Sequence, residues 1–95
     1  MNNRYSLNIV LANQEADQTR LGVKLGKKCI KLGVSVANIA VYLGVSRQTV
    51  YNWFEGGDIF PAYEHRVETL LTILKAAHSA DDAWRKICQH YGLAP

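Results

Sequence analysis

The stretch Val34 to Gly56, VSVANIAVYLGVSRQTVYNWFEG, constrains the fold more than any other, because it reads as two short helices joined by a tight glycine turn. Ser35 is placed to cap the first helix, Val36 to Leu43, and Ile39, Ala40 and Leu43 mark its inward face. Gly44 ends that helix in the left-handed conformation that glycine adopts without steric penalty. Val45 fills the turn, and Ser46 caps the second helix, roughly Arg47 to Phe54. Val50 and Trp53 face back inward, and the small side chain of Ala40 lets the two helices cross closely. The unit is a helix-turn-helix. It leaves Arg47, Gln48, Thr49, Tyr51 and Asn52 on the outside of its second helix.

The flanking chain supplies the packing this unit needs. A longer helix is expected from about Asp17 to Leu32, stopped by Gly33. At about 100° per residue, Leu21, Leu25, Cys29 and Leu32 share one face, while Arg20, Lys24, Lys27 and Lys31 share another with Lys28 at its edge. Gly22 and Gly26 each cost about 1 kcal/mol relative to alanine. They either admit another backbone at close range or simply weaken the helix. After the loop Glu55-Gly56-Gly57-Asp58, Pro61 opens a helix of about Ala62 to Ala77 with Val67, Leu70, Leu71 and Leu74 as its buried stripe. Ser79 and Asp82 resemble a capping box and open a last helix through His90, with Ala80, Ala83, Trp84, Ile87 and Tyr91 on its apolar side. Phe54 is expected against the helix that follows Pro61.

Residues 4 to 11, RYSLNIVL, admit two readings. They alternate well enough for a short strand, which would need a partner such as the same strand across a dimer; equally, they suit a helical arm packed on the domain. The expected fold is all-α, a compact bundle of about five helices in a single domain of residues 1–95. Within it, 1–14 is the N-terminal arm, 17–77 the core bundle, and 79–95 the C-terminal helix and tail.

Charge is distributed unevenly. Residues 18 to 54 hold Arg20, Lys24, Lys27, Lys28, Lys31 and Arg47 and no acid, whereas the remainder carries five bases against eight acids. The positive field therefore gathers around the helix-turn-helix, and a polyanionic partner is expected on that side. Cys29 and Cys88 lie far apart without CxxC spacing, so both are expected to be reduced and buried. Cys88 and His90 with Cys29 or His78 lack a recognised zinc spacing, and no metal or other cofactor is expected. No Ser/His/Asp set, carboxylate pair or phosphate loop stands out, so enzyme activity is not expected. The apolar run near the N-terminus is too short for a membrane span or a secretory signal, which implies a cytoplasmic location and no membrane partner.

Residues 20 to 61 resemble the lambda-repressor-like helix-turn-helix family of the Cro and cI type. The motifs that carry the resemblance are the lysine-rich helix ending in LGVS, the core IAVYLGVSRQTVYNWFEG, and the proline that opens the next helix. The leading arm and the aromatic-rich final helix are additions to the family's usual compact set. The resemblance implies that the helix 47–54 lies in the DNA major groove and that the helix before it crosses the backbone.

The side chains suit that role on their own chemistry. Arg47 can bond guanine O6 and N7, and Gln48 can bond adenine N6 and N7, each good pair giving about 1–3 kcal/mol of discrimination; Asn52, one turn on, can do likewise or hold a phosphate. Thr49 can touch a thymine methyl, and Tyr51 can reach sugar and phosphate. Amides near Ser35 and Ser46 suit phosphate oxygens, and Lys28 and Lys31 are expected to reach the same DNA. Specific reading of a genome usually calls for two copies on a palindrome, so a homodimer formed through the final helix or the arm is expected. The leading expectation is a sequence-specific regulator, a repressor of phage or mobile-element type. An interaction protein that reuses the scaffold to bind another protein is the alternative from another class, kept in view by Glu55 and Asp58 beside the helix 47–54. An architectural or recombination accessory factor is a third reading.

Overall fold

Serine hydroxyls set the start of most helices. In the computed structural model, which describes residues 5–92, the side chains of Ser6, Ser35, Ser46 and Ser79 accept from the backbone N–H groups of Ile9, Ala37, Thr49 and Asp82. They open α1 (Leu7–Glu15), α3 (Val36–Leu43), α4 (Arg47–Phe54) and α6 (Ala80–Tyr91). Between them, α2 (Leu21–Leu32) ends at left-handed Gly33, and α5 (Pro61–Lys75) begins on the proline itself. Asp82 reaches past the cap to accept from the backbone N–H of His78 rather than that of Ser79, and this bond holds its carboxyl below the usual carboxylate range.

The described residues form six helices and no strand, which corrects both the expected count of about five and the strand reading of residues 4 to 11. The arm is α1. A lone strand has no partner here, whereas a helix satisfies its own backbone. The alternation in RYSLNIVL is not used as a strand would use it: Ile9 and Val10 pack on the core, while Leu7 and Leu11 are exposed. Arg4 and the ends of the arm and tail, residues 1–4 and 93–95, lie outside the described residues.

α1 is tied down by Asn13, only 2% exposed. Its Nδ2 donates to the carbonyls of Val23 at 3.1 Å and of Phe54 at 2.8 Å. The second of these is a helix-end carbonyl without a partner inside α4, so α1 closes the C-terminus of that helix. Replacing Asn13 with alanine strands a buried carbonyl and is expected to cost about 2 kcal/mol, or roughly 10 °C in Tm. Thermal unfolding followed by circular dichroism checks this; an unchanged Tm would show that α1 is not fastened in this way.

Because residues 16–20 serve the end of α1, α2 starts at Leu21 rather than near Asp17. Gln18 donates to the carbonyls of Asn13, Gln14 and Ala16, and the Asp17 carboxylate accepts from the backbone and hydroxyl of Thr19. α2 then runs through the middle, packed on α1, α4 and α5. Its Leu25 and Cys29 join Ile39, Leu43, Val50, Val67, Leu70, Leu74 and Ile87 in one buried cluster. Burial pushes the Cys29 thiol well up, which removes it from nucleophilic chemistry.

Gly22 and Gly26 face α4. A Cβ on Gly22 would lie 2.6 Å from the Trp53 carbonyl oxygen, and one on Gly26 would lie 2.6 Å from Phe54 Cγ and 2.7 Å from Asn13 Nδ2. Phe54 therefore packs on α2, with its ring 6.2 Å from that of Tyr5, and shares the buried cluster with Val67, Leu70 and Leu71 of the helix after Pro61. Trp53 meets that helix through Tyr63. α6 is held by Ile87 in the core and by Trp84 and Tyr91 against the Tyr42 ring of α3. No helix among the described residues is long and apolar enough to cross a membrane.

Candidate nucleic-acid interface

The angle between α3 and α4 is set at Gly44, whose φ of 72° turns the chain, while Ile39, Ala40, Leu43, Val50 and Trp53 are all buried as the sequence requires. Arg66 of α5 supports the turn from outside. Its Nη1 donates to the Leu43 carbonyl at 3.3 Å, and its guanidinium lies 5.7 Å from the centroid of the Tyr63 ring. A cation at the C-terminal end of α3 also complements the helix dipole.

This packing leaves Arg47, Gln48 and Asn52 exposed and Thr49 and Tyr51 half-buried along one side of α4. Two grooves flank them. One is lined by Tyr5, Ser35, Val36, Ala37, Arg47 and Tyr51, which brings the N-terminus of α3 beside two recognition candidates. Tyr5 holds that corner, since its hydroxyl donates to the Val34 carbonyl just before the Ser35 cap. The other groove runs past Ser46, Thr49, Asn52, Glu55, Asp58 and Phe60.

Within the face, side chains are already oriented. Gln48 Nε2 donates to Asn52 Oδ1 at 3.0 Å, leaving the Gln48 oxygen free to accept and the Asn52 amide free to donate. The Thr49 hydroxyl lies 2.9 Å from that of Ser46, so its methyl is the part turned to a partner. Arg20 reaches across to Asp58 at 2.7 Å and answers one of the two acids beside α4, and Glu55 stays exposed. Phe60, 77% exposed at the rim of the second groove, was not singled out from the sequence. The signal was present: an aromatic residue at the cap position before a helix-opening proline has no core face to occupy.

Neither groove beside α4 is lined by Lys28 or Lys31. They line a separate groove with Lys24, Lys27, Leu71 and Lys75, between α2 and α5. No group of three or more His, Cys, Asp or Glu side chains among the described residues is arranged to hold a metal ion.

Residues 19–60 match the family model of the homeodomain-like domain, a helix-turn-helix fold. The matched span runs from just before α2 to the residue before α5 and contains the whole of α3 and α4. It supports a helix-turn-helix DNA-binding family for this segment; the Cro and cI type is a finer assignment than the match makes. No curated protein and no solved structure matches the chain.

Proposed function

We propose that the chain is a sequence-specific double-stranded DNA-binding regulator that lays α4 in the major groove. The observation that carries this reading is the outward face of α4, where Arg47, Gln48 and Asn52 stand exposed between two grooves that end in helix N-termini. Base edges meet the middle of such a face and the two phosphate backbones run along its sides. The Ser35 hydroxyl and the Val36 amide bind phosphate on one side with Tyr51; Ser46 binds it on the other. Gln48 and Asn52 act as a linked pair, the free Asn52 amide donating to adenine N7 and the free Gln48 oxygen accepting from N6. Arg47 reads guanine, the Thr49 methyl meets a thymine methyl, and Phe60 covers the sugar edge.

The regulator acts as a repressor of phage or mobile-element type, in the cytoplasm, by occupying an operator as a homodimer. Apolar side chains exposed on α1 (Leu7 and Leu11) and α6 (Trp84 and Tyr91) offer the dimer contact. The interaction-protein alternative draws less support now that Arg20 answers Asp58. Light scattering of the free chain and of the chain on a selected duplex tests the assembly: two copies per site are expected, and a strict monomer in both states would contradict it.

A further inference from the structure

Five lysines gather where no acid answers them. Lys24, Lys27, Lys28 and Lys31 of α2 and Lys75 of α5 line one groove, whose only other lining residue is Leu71. Among the described residues none of the five forms an ion pair. The acids of α5, Glu64 and Glu68, share the face of Leu71 and Lys75 but line the next groove along, with Arg20 and Asp58, and neither lies within ion-pair distance of a lysine. Uncompensated charge of one sign in a groove attracts a polyanion.

The groove lies behind the α4 face. α2 meets α4 through Gly22 and Gly26. At about 100° per residue, the four lysines of α2 point between about 120° and 180° away from that contact. On α4, Gln48 and Asn52 likewise point away from the Trp53 and Phe54 side that meets α2. With packed helices about 8–10 Å apart and each about 10–12 Å across, the two surfaces stand roughly 20 Å from one another. A straight duplex centred on Gln48 and Asn52 leaves the body of this groove uncovered, with Lys31, four residues before the Ser35 cap, at its near end.

We propose that this lysine groove grips the phosphate backbone of a second double-stranded DNA segment, so that one chain joins two duplexes. The inference rests on the α4 reading for the first duplex. Lysines are compact charges suited to phosphate without reading sequence, and Lys24 to Lys31 extend about 10 Å along a straight helix. An acidic peptide would need an apolar anchor, yet Leu71 is only 5% exposed. A membrane surface would need an aromatic or aliphatic side chain free to insert, and Leu71, the one beside these lysines, is buried.

A two-duplex capture assay tests this. One duplex carrying the selected site is fixed to beads, and a fluorescent duplex of arbitrary sequence is added with the chain. Wild type is expected to carry the label to the beads, and the capture should fall about a hundredfold between about 50 and 200 mM salt if four lysines pair with phosphates. The variant Lys24→Gln, Lys27→Gln, Lys31→Gln, Lys75→Gln changes exposed positions. It should stay on the beads while losing at least about tenfold of the label. A dimer that joined duplexes through its two α4 helices would be indifferent to these substitutions, so undiminished capture by this variant overturns the inference and leaves the α4 reading standing. Conversely, if Arg47→Ala with Gln48→Ala binds the fixed duplex as wild type does, the α4 reading falls. Lysine-dependent retention on polyglutamate or on phosphatidylserine vesicles, without lysine-dependent duplex capture, would assign the groove to another partner and overturn the inference too.

Discussion

Gly22→Ala combined with Gly26→Ala is expected to lower stability by about 4 kcal/mol, roughly 20 °C or more in Tm, and to abolish DNA binding at physiological temperature. Alanine is the better helix former, and at two exposed sites the exchange would add about 2 kcal/mol in favour of the helix. Here the new methyl groups meet atoms that have nowhere to go. At Gly22 the obstacle is the backbone carbonyl of Trp53, and at Gly26 it is the ring of Phe54 together with the Asn13 amide. Either α2 and α4 separate, opening voids around Val50 and Phe54, or α4 turns and disturbs the face it presents. Thermal unfolding of the two single variants and the double checks this. A double variant as stable as wild type would mean that the helices do not approach as closely as described.

Removing the readers of α4 should leave the fold untouched and the binding changed in kind. Arg47→Ala and Gln48→Ala alter exposed side chains that contribute nothing to the core, so Tm should move by less than about 4 °C. Each change should cost about 1–3 kcal/mol of discrimination at the base it reads, about 5- to 150-fold in relative affinity. Gln48→Ala should also loosen Asn52, whose Oδ1 loses its partner. Non-specific affinity should decline far less, because phosphate contacts at the helix N-termini remain. Competition binding against matched and mismatched duplexes separates the two effects; equal losses on both would mean these residues only contribute charge or packing.

The two helices of the turn were legible to the residue because caps, glycine and inward positions lie close in sequence and agree with one another. Ser35, Gly44, Ser46, Val50 and Trp53 each occupy the place their chemistry demands. The close approach read from Gly22 and Gly26 was legible as a need for space, but not which partner fills it. Long-range contacts were hidden. Nothing local announces that Asn13 reaches a carbonyl 41 positions away, and an apolar alternation in RYSLNIVL cannot distinguish a strand from a helix stitched down by one amide. The lysines illustrate the same limit for function. Their stripe was visible at helical spacing, yet which side of α2 faces α4 is decided by Gly22 and Gly26 in three dimensions, and that places Lys28 and Lys31 in the groove with Lys75 rather than in those beside α4.

The central claim, that α4 reads sequence through Arg47 and Gln48, is tested most directly by selecting binding sites from random duplexes with wild type and with each alanine variant. A short, palindromic site is expected for wild type, with Arg47→Ala relaxing a guanine position and Gln48→Ala an adenine position. Recovery of no site, or of one identical site with all three proteins, would contradict it.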